Sequence, residues 1–175
     1  MRRSRVFGER ELRDFLEASK VNITHSIEFE KDDYILNVNE DDYIAHKVSE
    51  AFVDNLEIHV DDIYVSSSEQ MIPAEHFPGG FHVCSGISYK KDVIKFHVPV
   101  SGNVQLLHCI PSSRILWTME IEVNRDEFCF EIVNYSDNAD EIVRRKDEGI
   151  RNILQQYENV STEVERANAS VEQQI

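Results

Sequence analysis

The sequence predicts an α+β fold: an antiparallel sheet of about five or six strands, two N-terminal helices and a long C-terminal amphipathic helix. Three observations carry that reading. From Phe81 to Val133 apolar residues recur at every second position, the period of strands with one buried face. The links between those runs are short, which favours an antiparallel meander over a parallel sheet. After Ser136-Asp137-Asn138 the period changes. Ile150, Ile153, Tyr157, Val160, Val164, Ala167 and Val171 follow in alternating steps of three and four, one apolar edge of a helix.

In chain order, Glu9 to Ser19 sets Leu12, Phe15 and Leu16 against charged neighbours, a short amphipathic helix. Ile23, His25, Ile27 and Phe29 alternate with polar residues, the period of a strand. Lys31-Asp32-Asp33 marks a turn, and Tyr34 to Val38 a returning strand. Asn39 caps a second helix, with acidic residues in the first turn where the helix dipole favours them. Its stripe is Ile44, Val48, Ala51, Phe52 and Leu56. Ile58 and Val60 begin another strand. Ser66 to Gly80, with Pro73, Pro78 and Gly79-Gly80, is expected to be a surface loop.

The clearest strand sequence follows. Val93 to Val98 leads to a turn at Ser101-Gly102-Asn103, and Val104 to Ile110 returns from it. Ile115, Trp117, Met119, Ile121 and Val123 form a one-sided strand. Asn124-Arg125-Asp126 connects it to Phe128, Phe130 and Ile132 in a hairpin. Asn138 with Glu141 announces the last helix. The organisation expected is an α+β domain over 1–136 and a long helix over 137–175. From Asp140 to Ile175 that helix is expected to extend about 50 Å at ~1.5 Å per residue. It is more than a small sheet needs, so part of it is expected to protrude, pair with another chain or lead into a further domain; the alternative is that the whole stripe packs on the domain's own sheet.

Composition narrows the function classes. A chain of 175 residues is long enough for one real core. It carries 18 Lys and Arg against 33 Asp and Glu, a net charge of −15. Such a chain repels phosphate backbones unless a basic patch overrides the field, and Arg2-Arg3-Arg5 and Arg144-Arg145-Lys146 are both short. Direct nucleic-acid binding is therefore disfavoured. No run is long and apolar enough to span a bilayer, and the N-terminus lacks a signal-peptide core. Cys84, Cys109 and Cys129 have no close pair spacing and read as small buried hydrophobes in a reducing compartment, so a cytoplasmic protein is expected.

Chemistry-bearing patterns are sparse. His82, Cys84, His97, His108 and Cys109 are potential soft-metal ligands in one window. His82 and Cys84 share a strand face, whereas His108 and Cys109 point oppositely, and His97 is expected to face water. A metal site on His82, Cys84 and His108 is thus the alternative reading, a small metal-dependent hydrolase. No nucleophile elbow or phosphate-cradling loop is present. The residues two before each lysine are Ala18, Phe29, Ala45, Ser88, Tyr89, Val93 and Arg144, so no acid-x-lysine nuclease site exists. No catalytic residue and no cofactor is assigned.

Ile72-Pro73-Ala74, Phe77-Pro78, Phe96-His97-Val98-Pro99-Val100-Ser101-Gly102, Pro111-Ser112-Ser113 and a helix reaching Asn168-Ala169-Ser170 carry a resemblance. From roughly Ile58 onward the chain resembles the N-terminal module of uncharacterised bacterial proteins, some of which continue into a restriction-endonuclease-like domain. It departs from that pattern at Asn103, where an acid is expected after the turn glycine. The resemblance implies a sensing or assembly role in a bacterial anti-phage defence nuclease and supplies no catalytic residue. The leading expectation is therefore a non-catalytic binding and oligomerisation module of regulatory type. It forms a homodimer through Ile150, Ile153, Tyr157, Val160, Val164, Ala167 and Val171, and meets a protein effector. A sensor pocket under the Ser66 to Gly80 loop is a third expectation.

Overall fold

The computed structural model describes residues 2–174 and confirms the α+β class. The strands are β1 (Arg3–Arg5), β2 (Arg10–Glu11), β3 (Leu56–Ile58), β4 (Tyr64–Pro73), β5 (Ser88–Gly102), β6 (Cys109–Ile110), β7 (Glu120–Val123) and β8 (Glu127–Val133). The helices are α1 (Leu12–Glu28), α2 (Asp32–Asn37), α3 (Glu40–Ala51) and α4 (Ala139–Gln174). The main sheet is antiparallel, in the order β1-β7-β8-β5-β3, with β4 on the same edge of β5 as β3. β5 pairs with β4 through Ser88–His97, with β3 through Val100–Gly102 and with β8 through Val93–Pro99. It is the spine of the fold. β2 and β6 make a separate parallel pair.

One face of this sheet is apolar. Phe96, Val98 and Val100 of β5, Phe128, Phe130 and Ile132 of β8 and Ile121 of β7 are buried there. They share one core with Leu12 and Leu16 of α1 and with Ile142, Ile153, Val160 and Val164 of α4. Removing such side chains from water is the main stabilising term, about 1.5–3 kcal/mol for each large one.

The seam of α4 is therefore spent within the chain. Ile153, Val160 and Val164 are fully buried and Val171 nearly so, while Ile150, Tyr157 and Ala167 pack at the margin of the same core. Polar clamps fix the register. Asn168 Oδ1 accepts from Val53 N and Asn168 Nδ2 donates to Val53 O, both at 3.0 Å. Asn55 Nδ2 donates to Ser161 Oγ at 2.8 Å, and the Tyr157 hydroxyl donates to Leu56 O. The seam expected to meet a second copy packs on the chain's own sheet. A three-four stripe suits a coiled coil and a helix laid on its own sheet equally, and here the sheet is the partner. α4 is about 54 Å long at 1.5 Å per residue, and it is held as far as Val171.

Five corrections concern the elements. Ile23 to Glu28 is the end of α1, with Phe29 at its C-cap, and Tyr34 to Val38 falls mostly in α2. Ile23 and Ile27 satisfy a helical i, i+4 spacing as well as alternation, and Phe29, which favoured the strand, is 82% exposed. Ser66 to Pro73 is not loop but most of β4, a ten-residue strand whose side chains are nearly all exposed, so no apolar alternation marks it. Val104 to His108 is a 3-10 turn leading into β6, not a return along β5. The strand expected from Ile115 begins only at Glu120. Before it, the chain crosses α4, whose side chains satisfy its backbone: Ser112 N donates to Glu163 (2.9 Å) and Ile115 N to Gln156 Oε1 (3.2 Å).

The caps follow the sequence. Asn39 Oδ1 accepts from Asp41 N and Asp42 N. Asn138 Oδ1 accepts from Asp140 N at 3.0 Å, while the Glu141 carboxylate is taken by Ser136 Oγ.

Candidate functional site

The second face of the sheet is polar, and strand register builds a compact group on it. His97 of β5 lies opposite Cys129 of β8 and opposite Tyr64 of β4. Glu127, two residues from Cys129, points to the same face. His97 Nδ1 lies 3.1 Å from Glu127 Oε1 and 3.2 Å from Cys129 Sγ, and Sγ lies 3.4 Å from the same carboxylate oxygen. The ring is held from outside. Ser66 Oγ is 2.9 Å from Nε2, and Tyr64 stacks on the imidazole at 4.4 Å while its hydroxyl donates to Glu127 Oε2.

These contacts set the charge states. The hydrogen bond from Tyr64, then those from His97 and Cys129, holds the Glu127 carboxyl down at about 2 against partial desolvation. Burial, reinforced by Glu127, pushes the Cys129 thiol up to about 12. A carboxylate so weakly basic is a poor general base, and a thiol so weakly acidic is a poor nucleophile. Beside the group Lys95 bonds Glu122 at 2.7 Å, and Arg3 bonds Glu131 at 2.7 Å. The Lys95 hydrogen bond holds the Glu122 carboxyl below its usual range.

The residues singled out in the sequence are dispersed. His82 and Cys84 are exposed in the 81–87 connection, not on a strand. His108 pairs with Glu9 (3.3 Å) and Ser4 (3.4 Å), and Cys109 is buried, its thiol raised to about 11 by desolvation. Among the described residues the group whose ligand atoms converge is His97, Glu127 and Cys129, so a site on His82, Cys84 and His108 has no geometry. His97 does sit on the polar face, but its side chain is only 16% exposed.

The expected sensor loop is also redrawn. The connection between β4 and β5 is 74–87, and its Phe77 and Phe81 meet each other and Tyr135 in edge-on and tilted contacts with centroids 4.9–6.0 Å apart. Its far end is pinned by Glu75, whose Oε1 accepts from Gly86 N at 2.8 Å and Ser85 Oγ at 3.2 Å. The Gly86 bond is the main cause of a lowered Glu75 pKa. A lowered folded-state pKa means that the bond persists above the usual carboxylate range and is lost as pH falls through the lower value. The Gly86 amide proton shift should therefore titrate with a midpoint below about 4.3. A midpoint at the usual value would contradict the bond.

A cleft of about 460 Å³ lies between α1, α3 and the end of α4, lined by Ile23, Ile27, Tyr43, Ile44, Ala51 and Val171 with Lys20 and Glu28 at its rim. The same helical layer leaves Val21 50%, Phe29 82% and Leu36 80% exposed. Between residues 28 and 50 it carries eight carboxylates against two lysines, of which Lys47 is buried and paired with Glu30 and Glu50.

Comparison of the chain with protein-family models, with curated proteins and with solved structures gave no match. Among the described residues, no helix is long and apolar enough to cross a membrane.

Proposed function

We propose that the chain is a non-catalytic protein-binding module of regulatory type. Its sheet and α4 form the rigid body, and its α1–α3 face takes a basic, amphipathic helix of a protein partner. The observation that carries this reading is the coincidence, on one helical layer, of an apolar cleft, large exposed apolar side chains and a strong excess of carboxylates. Exposed apolar area of that kind marks interaction surfaces, and an amphipathic helix laid in a groove is a recurring mode of recognition. The acidic rim complements a basic ligand and disfavours nucleic acid. The weakly basic Glu127 carboxylate and the weakly acidic Cys129 thiol are poorly suited to act as general base and nucleophile. The resemblance to a module found ahead of nuclease-like domains supports an effector of bacterial defence type as the partner. Three free cysteines support a cytoplasmic setting.

The test is fluorescence anisotropy with a labelled synthetic helix of leucine and lysine in amphipathic order. Binding should weaken as salt rises and fall at least tenfold in Ile27→Asp, and a scrambled peptide of equal charge should bind much less. Equal binding of the two peptides, or no effect of Ile27→Asp in a protein of native circular dichroism, would refute the docking surface.

A further inference from the structure

The group around His97 has the form of a metal site. With about 2.0–2.2 Å to nitrogen and oxygen and 2.3 Å to sulfur, a tetrahedral zinc ion keeps its ligand atoms roughly 3.3–3.6 Å apart. The three separations here are 3.1, 3.2 and 3.4 Å, so rotations of a few tenths of an ångström would admit an ion. The backbone under them is rigid: His97 and Cys129 are directly paired residues of two central strands, and Glu127 shares the face.

The supporting contacts match what metal ligands require. His97 presents Nδ1 to the group while Ser66 holds Nε2, which fixes the ring, and Tyr64 holds the second carboxylate oxygen of Glu127. Cys129 is buried, while His97 and Glu127 keep 16% and 21% of their side chains exposed, so a fourth position opens to solvent. A mixed imidazole, thiolate and carboxylate set suits zinc or cobalt and is wrong for magnesium or calcium, which take oxygen ligands.

We propose that His97 Nδ1, Cys129 Sγ and Glu127 Oε1 bind one borderline-soft divalent ion of the zinc class, with solvent as fourth ligand. The Cys129 thiol gives its proton to solvent as the metal–sulfur bond forms. The resulting thiolate and carboxylate then neutralise the two charges of the ion. Lys95, whose charge bears on Cys129, is tied to Glu122 at 2.7 Å. The site lies on the sheet, away from the helical cleft, and stands or falls independently of the partner-binding reading.

The probe is cobalt(II), titrated into the full-length, chelator-treated chain. The expected result is one equivalent bound, with a thiolate-to-cobalt charge-transfer band. Cys129→Ser should abolish the band, and His97→Ala should weaken binding at least tenfold. Cys84→Ser should change neither. Ser66→Ala, which removes only the support of the ring, should weaken binding about tenfold. If Cys129→Ser fails to fold, His97→Ala and Cys84→Ser decide the matter alone. Absence of a thiolate band in the native chain, a band lost in Cys84→Ser, or affinity unchanged in His97→Ala would each overturn the proposal.

Discussion

Replacing both Val160 and Val164 by Asp should unfold the domain. Both side chains are fully buried between α4 and the sheet, in a cluster with Phe96, Val98 and Phe128. Each aspartate would either carry an unpaired charge into that apolar layer or take up a proton at a cost, several kcal/mol per site by either route. Together they should cost about 6 kcal/mol or more, comparable with the whole stability of an ordinary domain of about 5–15 kcal/mol. Thermal unfolding followed by circular dichroism should show no cooperative transition. Arg166→Asp, at an exposed position of the same helix, should stay within about 0.5 kcal/mol of the native chain. A double variant that remained folded and merely lost mass in light scattering would mean that the seam joins copies.

The second large effect belongs to Gly102. It ends β5 with φ +80°, a conformation that residues with a side chain adopt at a cost of about 1–3 kcal/mol. A Cβ there would stand 2.0 Å from Asn55 O, the carbonyl that also accepts from Asn103 N. The clash is with backbone, so β3 would have to move, and with it the Asn55 link to Ser161 of α4. Gly102→Ala should therefore lower stability in urea by at least about 3 kcal/mol. Gly80→Ala separates the two causes. Gly80 has φ +93° with open space around it, so its substitution should cost only the backbone strain, about 1 kcal/mol. Equal losses at the two glycines would contradict the close approach of β3.

What the sequence made legible was whatever depends on one-sided burial. The β7–β8 hairpin, the helix after Asn39 and the start of α4 were all visible because a period or a cap marks them. β4 was not, because an edge strand exposed on nearly every residue has no alternation to read, and its ten pairings with β5 are backbone matters. The second half of α1 is ambiguous in the sequence because Ile23 and Ile27 fit both periods. The α4 seam is legible as a stripe, but its spacing does not distinguish a partner helix from the chain's own sheet, on which it packs.

The His97 group depends on register. Glu127-x-Cys129 and His97 are some thirty residues apart, and they meet because β8 pairs with β5 across an intervening excursion. The alternation from Phe128 to Ile132 could have placed Glu127 and Cys129 together on the polar face. Nothing in the sequence alone aligns that face with His97.

The central claim is that α4 is an internal strut of a single core, which leaves the α1–α3 layer as the surface for a partner. Native-state hydrogen exchange of the α4 backbone tests it most directly. Amides from Ile150 to Val164 should be protected to nearly the global unfolding free energy, with the same values in dilute and concentrated protein. Protection that fades beyond Tyr157 in dilute solution and returns on concentration would show that the helix is completed by another chain, and would contradict the account.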